Sequence, residues 1–205
     1  MDGDGGDSPT SSVIFDPEGN LYGTTPRGGP PGGPVGGYGV VYQLTPSGSG
    51  WTQNILYLFQ NGSDGAYAEG GVIRDQAGNL YGTTLEGGAG GGGTVWELSP
   101  SGGGWTLTTL YSFTGTIGSF ASLTMDAAGS LYGTTKQDGA LGYGNVFRLT
   151  NSGGNWTYTS LHDFTGGRDG GQPYGQVTLD TDGNIYGTAA TGGASGNGVV
   201  FEIAP

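Results

Sequence analysis

The chain has 205 residues, 49 of them glycine and 10 proline, with five basic against seventeen acidic residues and no cysteine. Its net charge of −12 repels phosphate backbones and anionic lipid heads, so nucleic acid and membrane surfaces are excluded as partners, and the lack of cysteine excludes disulfides, zinc-thiolate sites and thiol nucleophiles. No apolar run approaches the roughly 18 residues of a membrane span, and Met1-Asp2-Gly3-Asp4 has neither the basic flank nor the apolar core of a signal peptide.

Residues 1–12 read as the tail of a repeat, because Pro9 precedes Asp16 at the distance by which Pro173 precedes Asp180. A first strand (a) follows, Val13-Ile14-Phe15, with counterparts at Val72-Ile73-Arg74, Leu123-Thr124-Met125 and Val177-Thr178-Leu179. Each ends on an Asp (16, 75, 126, 180) that opens Asp-x-x-Gly-Asn/Ser, a tight hairpin turn whose Gly and Asn tolerate positive φ. The turn delivers strand b, the most regular stretch of the chain: Leu21-Tyr22-Gly23-Thr24-Thr25, then Leu80 to Thr84, Leu131 to Thr135, and Ile185 to Ala189. After a glycine-rich loop comes strand c, alternating as a half-buried strand does: Val41-Tyr42-Gln43-Leu44, Val95-Trp96-Glu97-Leu98, Val146-Phe147-Arg148-Leu149 and Val200-Phe201-Glu202-Ile203. Strand d opens on Trp51, Trp105 or Trp156 and closes on Phe59, Phe113 or Phe164; the fourth repeat stops at Pro205 without it.

Repeats of 51 to 59 residues, each with four short antiparallel strands, predict the blades of a β-propeller, with repeat boundaries near 8–60, 61–114, 115–165 and 166–205 and one domain over 1–205. Almost no helix is expected, since glycine interrupts nearly every ten residues. The Asp-to-Tyr interval is constant in all four repeats and the strand-c aromatic to last-Phe interval in all three, so the a–b and c–d turns form one fixed end. Length varies only in the b–c and d–a loops, which antiparallel order gathers at the opposite end. Binding residues are expected on such loops.

The pattern Asp-x-x-Gly-Asn-Leu-Tyr-Gly-Thr-Thr, glycine-rich loop, Gly-x-Val-Phe-x-Leu-x-Pro-x-Gly, Trp-Thr, Leu-Tyr-x-Phe, Asp-Gly resembles the GloVer (Gloeo/Verruco) tandem repeats of bacterial proteins over nearly the whole chain. The Asp-x-x-Gly-Asn-Ile/Leu-Tyr segment is more distantly similar to NHL-type propeller repeats. The resemblance implies a secreted or cell-surface protein, and it brings no catalytic residues. No sorting signal follows Pro205.

Tyr38, Tyr67, Tyr143 and Tyr174 lie in the variable loops beside Arg27, Lys136 and Arg168; a ring with an apolar face and a polar tip suits a sugar or a protein surface, so these seven form the candidate ligand-binding set. Asp64-Gly65 and Asp169-Gly170 in the d–a loops are the candidate metal residues, for Ca²⁺ held together with backbone carbonyls. The only histidine, His162, occupies the place of Tyr57 and Tyr111 and reads as a packing position. Gln43, Glu97, Arg148 and Glu202 share one strand-c position and read as a solvated face. The expected function is a secreted binding or display module for glycan or protein. A glycan-active hydrolase or lyase using carboxylates among Asp64, Glu69, Glu86, Asp138 and Asp169 is the second reading, and a purely structural scaffold the third. Four blades close as a small ring, or they form half of an eight-bladed ring completed by a homodimer.

Overall fold

A computed structural model describes residues 5–29 and 36–205. Residues 1–4 of the acidic N-terminus and 30–35 of the first glycine-rich loop lie outside the described residues. The first sheet runs β1 (Ile14–Phe15), β2 (Leu21–Thr25), β3 (Val40–Ser47), β4 (Gly50–Leu58) in that spatial order. The second repeats it with β5 (Ile73–Arg74), β6 (Leu80–Thr83), β7 (Thr94–Ser101) and β8 (Gly104–Ser112), and the third with β9 (Thr124–Met125), β10 (Leu131–Thr135), β11 (Asn145–Ser152) and β12 (Asn155–Asp163). The fourth contains β13 (Gly171–Pro173), β14 (Thr178–Leu179), β15 (Ile185–Thr191) and β16 (Val199–Ile203). All pairings within the sheets are antiparallel and, among the described residues, there is no helix.

These are the four predicted blades, with one addition. In the fourth blade β13 and β14 both pair with β15, so its fourth strand comes from the d–a loop rather than from a strand d. The same loop makes a single bridge in the first two blades, Asp7 to Arg27 and Ala66 to Glu86. Each of these three contacts is followed by a non-glycine residue at positive φ: Ser8 (58°), Tyr67 (59°) and Gln172 (52°). Strained backbone thus recurs at the loop end of the blades.

The glycine inside Leu-Tyr-Gly-Thr has a packing cause. Gly23, Gly82, Gly133 and Gly187 pair with Tyr42, Trp96, Phe147 and Phe201 across strands b and c. Each aromatic ring lies over its glycine, and a Cβ would come within 2.6 Å of the ring or hydroxyl at Gly23 and Gly133. The bare backbone is what lets the ring lie flat between blades.

The hairpin aspartates tie the turn to strand b. In the first blade Asp16 accepts hydrogen bonds from the Asn20 backbone (2.8 Å), the Asn20 side chain (2.8 Å) and the Tyr22 hydroxyl (3.0 Å). Asp75, Asp126 and Asp180 accept the matching bond from Tyr81, Tyr132 and Tyr186. Burial raises the pKa of Asp16 and Asp126, but the hydrogen bonds outweigh it and both sit below the ordinary carboxylate value.

Three hydrophobic cores join the blades in series. Tyr22 and Val41 of the first meet Leu80, Trp96 and Leu98 of the second; Tyr81 and Val95 of the second meet Leu131, Phe147 and Leu149 of the third; Val146 and Phe164 of the third meet Val177 and Ile185 of the fourth. The Trp of each following strand d edges onto the preceding Tyr, Trp105 on Tyr22 (6.4 Å) and Trp156 on Tyr81 (6.1 Å). A threonine adds a polar link at each junction: Thr24, Thr83 and Thr134 donate to the carbonyls of Gly70, Ala121 and Gly175 in the next blade.

One sequence reading is overturned. In the first three blades the strand-c position of Gln43, Glu97 and Arg148 is no solvated face, because it lies directly across from the strand-b tyrosine, whereas Glu202 of the fourth is exposed as expected. Gln43 donates to the Tyr22 hydroxyl at 2.8 Å, Tyr81 donates to Glu97 at 3.3 Å, and the position is half-buried in the first three blades. The strand alternates as expected, but a neighbouring blade covers this face in each of the first three.

Candidate functional site

The two-residue first strands and the nine-residue fourth strands give each of the first three blades the taper of a sheet that fans outward. The residues just before strand a, namely Thr10, Glu69, Phe120 and Tyr174, occupy one position in successive blades. Neighbours at this position touch. The Thr10 hydroxyl donates to the Glu69 carboxylate at 3.1 Å, and the Phe120 and Tyr174 rings lie 5.2 Å apart at 47°. Lys136, directly after strand b of the third blade, holds its Nζ 5.5 Å from the Phe120 ring centre and 4.9 Å from that of Tyr174.

The inner strands that follow this pair in the chain line a separate groove of about 610 Å³, and Phe120, Lys136 and Tyr174 are not among its lining residues. The groove runs between the inner strands of the third and fourth blades and is lined by Met125, Asp126, Tyr132, Gln176, Leu179 and Asp180 among others. Its volume falls within the range of small-ligand sites. Gln176, two residues beyond Tyr174, bonds through its side-chain amide to the Leu123 carbonyl (2.8 Å) and fixes the wall there. Among the described residues no carboxylate stands within ion-pair distance of Lys136, so its ammonium has the two aromatic faces as partners. The Tyr174 ring is 40% exposed, enough to present a face to a ligand.

The remaining candidates fall elsewhere. Tyr38 and Tyr67 pack edge to face at 6.0 Å, and the Tyr67 amide donates to the Tyr38 carbonyl (2.9 Å), so this pair seals the junction of blades one and two. Tyr143 accepts from the Gln172 amide (2.7 Å) and its ring lies over Gly166, leaving it 46% exposed. Arg27 is exposed beside its bridge to Asp7. Arg168 lines a separate rim groove of about 260 Å³ with His162, Asp169 and strand β16. Of the seven residues, the fold brings together Tyr38 with Tyr67, and Tyr174 with Lys136. Phe120, which completes the second group, was missed from sequence, although it precedes Leu123 as Tyr174 precedes Val177.

Asp64 and Asp169 are spent on their own loops. Asp64 accepts from the Gln60 and Gly62 amides (2.8 and 3.0 Å) and the Tyr57 hydroxyl (3.2 Å). Asp169 accepts from the Thr165 amide (2.9 Å) and hydroxyl, and pairs with His162 at 3.2 Å. His162 therefore does for Asp169 what Tyr57 does for Asp64, which accounts for it as a structural residue. Among the described residues no cluster of three or more His, Cys, Asp or Glu is arranged to hold a metal. Of the carboxylates offered for hydrolysis, Asp169 is held below the ordinary carboxylate value by its hydrogen bonds from Thr165 and His162, which outweigh its burial. A general acid for glycoside hydrolysis needs the opposite shift.

The model of the Gloeobacter/Verrucomicrobia repeat matches residues 8–205. The chain belongs to that repeat family. The match takes in all four blades of this repeat protein. No curated protein matches it. Among solved structures, it is similar to a protein of unknown function from Dyadobacter fermentans DSM 18053, with 13% identity and a TM-score of 0.46. The alignment covers 86% of this chain and 60% of the other, so the repeat protein spans less than two thirds of that structure's length.

Proposed function

We propose that this repeat protein is a bacterial extracellular binding module that takes a glycan on the aromatic pair shared by blades three and four. The observation that carries the reading is the Phe120–Tyr174 pair under an unneutralised Lys136. Partly exposed rings stack on the C–H faces of a pyranose, and an ammonium with three donors bonds its hydroxyls. The secreted or cell-surface location is part of the same proposal and is supported by the resemblance to GloVer-repeat proteins. A net charge of −12 disfavours nucleic acid and anionic membranes as alternatives.

The test is a glycan array with the native chain, repeated with Tyr174→Ala and Phe120→Ala. Native binding lost in both variants, with unchanged circular dichroism, is the expected result. Binding that survives both substitutions would move the site elsewhere, and no binding to any glycan would sink the proposal. Release of smaller oligosaccharides from a bound glycan would favour an enzyme instead.

A further inference from the structure

Each blade has two faces, and three of the four blade-to-blade junctions that a ring of equal blades needs are seen as packed cores. Among the described residues no core joins blade four back to blade one. The face of blade four that points away from blade three carries Tyr186, Thr188 and Val200. Val200 is 81% exposed, whereas its counterparts Val41, Val95 and Val146 are fully buried. Thr188 is exposed where Thr24, Thr83 and Thr134 are buried and bonded to the next blade. The face of blade one that points away from blade two is open in the complementary way. Val13 is 43% exposed against 2% or less for Val72, Leu123 and Val177, and Trp51 is exposed where Trp105 and Trp156 are half-buried on a neighbour's tyrosine.

We infer that these two open faces are the two halves of one interface and that a second copy of this chain covers both, head to tail. The internal junctions specify its contacts. Trp51 of one copy edges onto Tyr186 of the other, Thr188 donates to the carbonyl of Ser11, and Val200 packs beneath strand a of the incoming blade one. Tyr81 and Glu97 already occupy the matching places of a buried junction, so the Tyr186–Glu202 pair brings no new charge problem. The apolar side chains now facing water supply the driving force. A head-to-tail interface closes or propagates according to its rotation; since propellers hold about four to eight blades, closure comes at two copies and eight blades.

The experiment is analytical ultracentrifugation of the 205-residue chain at micromolar concentration, with Val200→Asp and Val200→Cys alongside. Val200 is exposed within a single chain, so neither substitution disturbs the fold of the monomer. The native chain is expected at twice its 20.6 kDa mass, and Val200→Asp at the monomer mass with unchanged circular dichroism. The native sequence has no cysteine, so Val200→Cys reports on geometry: head-to-tail packing keeps the two introduced thiols apart, and mild oxidation yields no disulfide-linked dimer. A monomeric native chain, a Val200→Asp variant that remains dimeric, or a disulfide joining the introduced thiols of two copies would each overturn the inference.

Discussion

At the turn end of the blades all four repeats hold the same carboxylate-to-tyrosine tie, through Asp16, Asp75, Asp126 and Asp180. At the loop end the comparable tie appears twice, Asp64 with Tyr57 and Asp169 with His162. The connection into blade three has no such tie; it is three residues shorter than its counterparts and crosses between strands instead, with Gly118 donating to the Leu85 carbonyl and Lys136 donating back to Gly118. A turn closed inside one blade has a length set by strand pairing. A loop that passes from one blade to the next has no such constraint, and the side chains it carries differ from blade to blade: Phe120 and Tyr174 meet where Thr10 and Glu69 meet in the first two blades. Regularity at one end and latitude at the other come from which connections stay within a sheet.

The comparison can be broken first at what both ends share. Trp96 is fully buried between blades one and two, and Trp96→Ala is expected to cost about 3–5 kcal/mol in urea unfolding; a loss below about 1 kcal/mol would mean that the blade cores do not hold the ring segment together. The ties themselves come next. Asp75→Ala and Asp64→Ala each release three hydrogen bonds, and each is expected to lower stability by about 2 kcal/mol. A much smaller cost at Asp64 would show that the loop end is not held as the turn end is.

The pH dependence sharpens the same contrast. Burial, then the charge and hydrogen bond of Asp64, push the Tyr57 phenol up to about 12. Its folded pKa lies above the unfolded value of about 10, so its contribution is complete below about pH 10 and disappears as the pH climbs towards 12. Asp16 and Asp126 are depressed in the fold, so their contribution is complete above about pH 4 and is lost as the pH falls through their lowered values. Thermal unfolding across both limits checks both signs: Tyr57→Phe removes one part of the alkaline loss, the raised turn-end tyrosines Tyr22, Tyr81 and Tyr132 keeping the rest, and leaves the acid limb as it was. The smallest effect belongs to His162→Tyr, expected within about 0.5 kcal/mol of native, because Tyr57 already makes that contact with its own loop aspartate. A larger loss would show that the histidine does more than replace a tyrosine.

Much of this was legible in the chain. The repeated Leu-Tyr-Gly-Thr-Thr fixes strand b, the constant intervals fix the a–b and c–d turns, and Asp-x-x-Gly-Asn names its own hairpin. What escaped reading was relational. Glu97 and Arg148 look solvated in an alternating strand, and only the facing tyrosine with a second sheet behind it shows otherwise. Phe120 escaped because the shortened loop shifts its distance from the preceding strand; counting back from Leu123 recovers it. Lys136 was visible as a cation in a variable loop, but its place over two rings depends on the packing of two blades. The opposed open faces of blades one and four have no local sequence signal, since every residue on them repeats one that is buried elsewhere.

The most direct test of the account is titration calorimetry of an array-selected oligosaccharide into the native chain, Tyr174→Ala and Arg27→Ala. Arg27 is an exposed loop cation on the first blade, away from the aromatic pair of blades three and four, and serves as the loop-end control. The account predicts binding to the native chain and to Arg27→Ala with the same affinity, and none to Tyr174→Ala at an unchanged melting temperature. Equal binding by all three, or loss at Arg27 with retention at Tyr174, would contradict it.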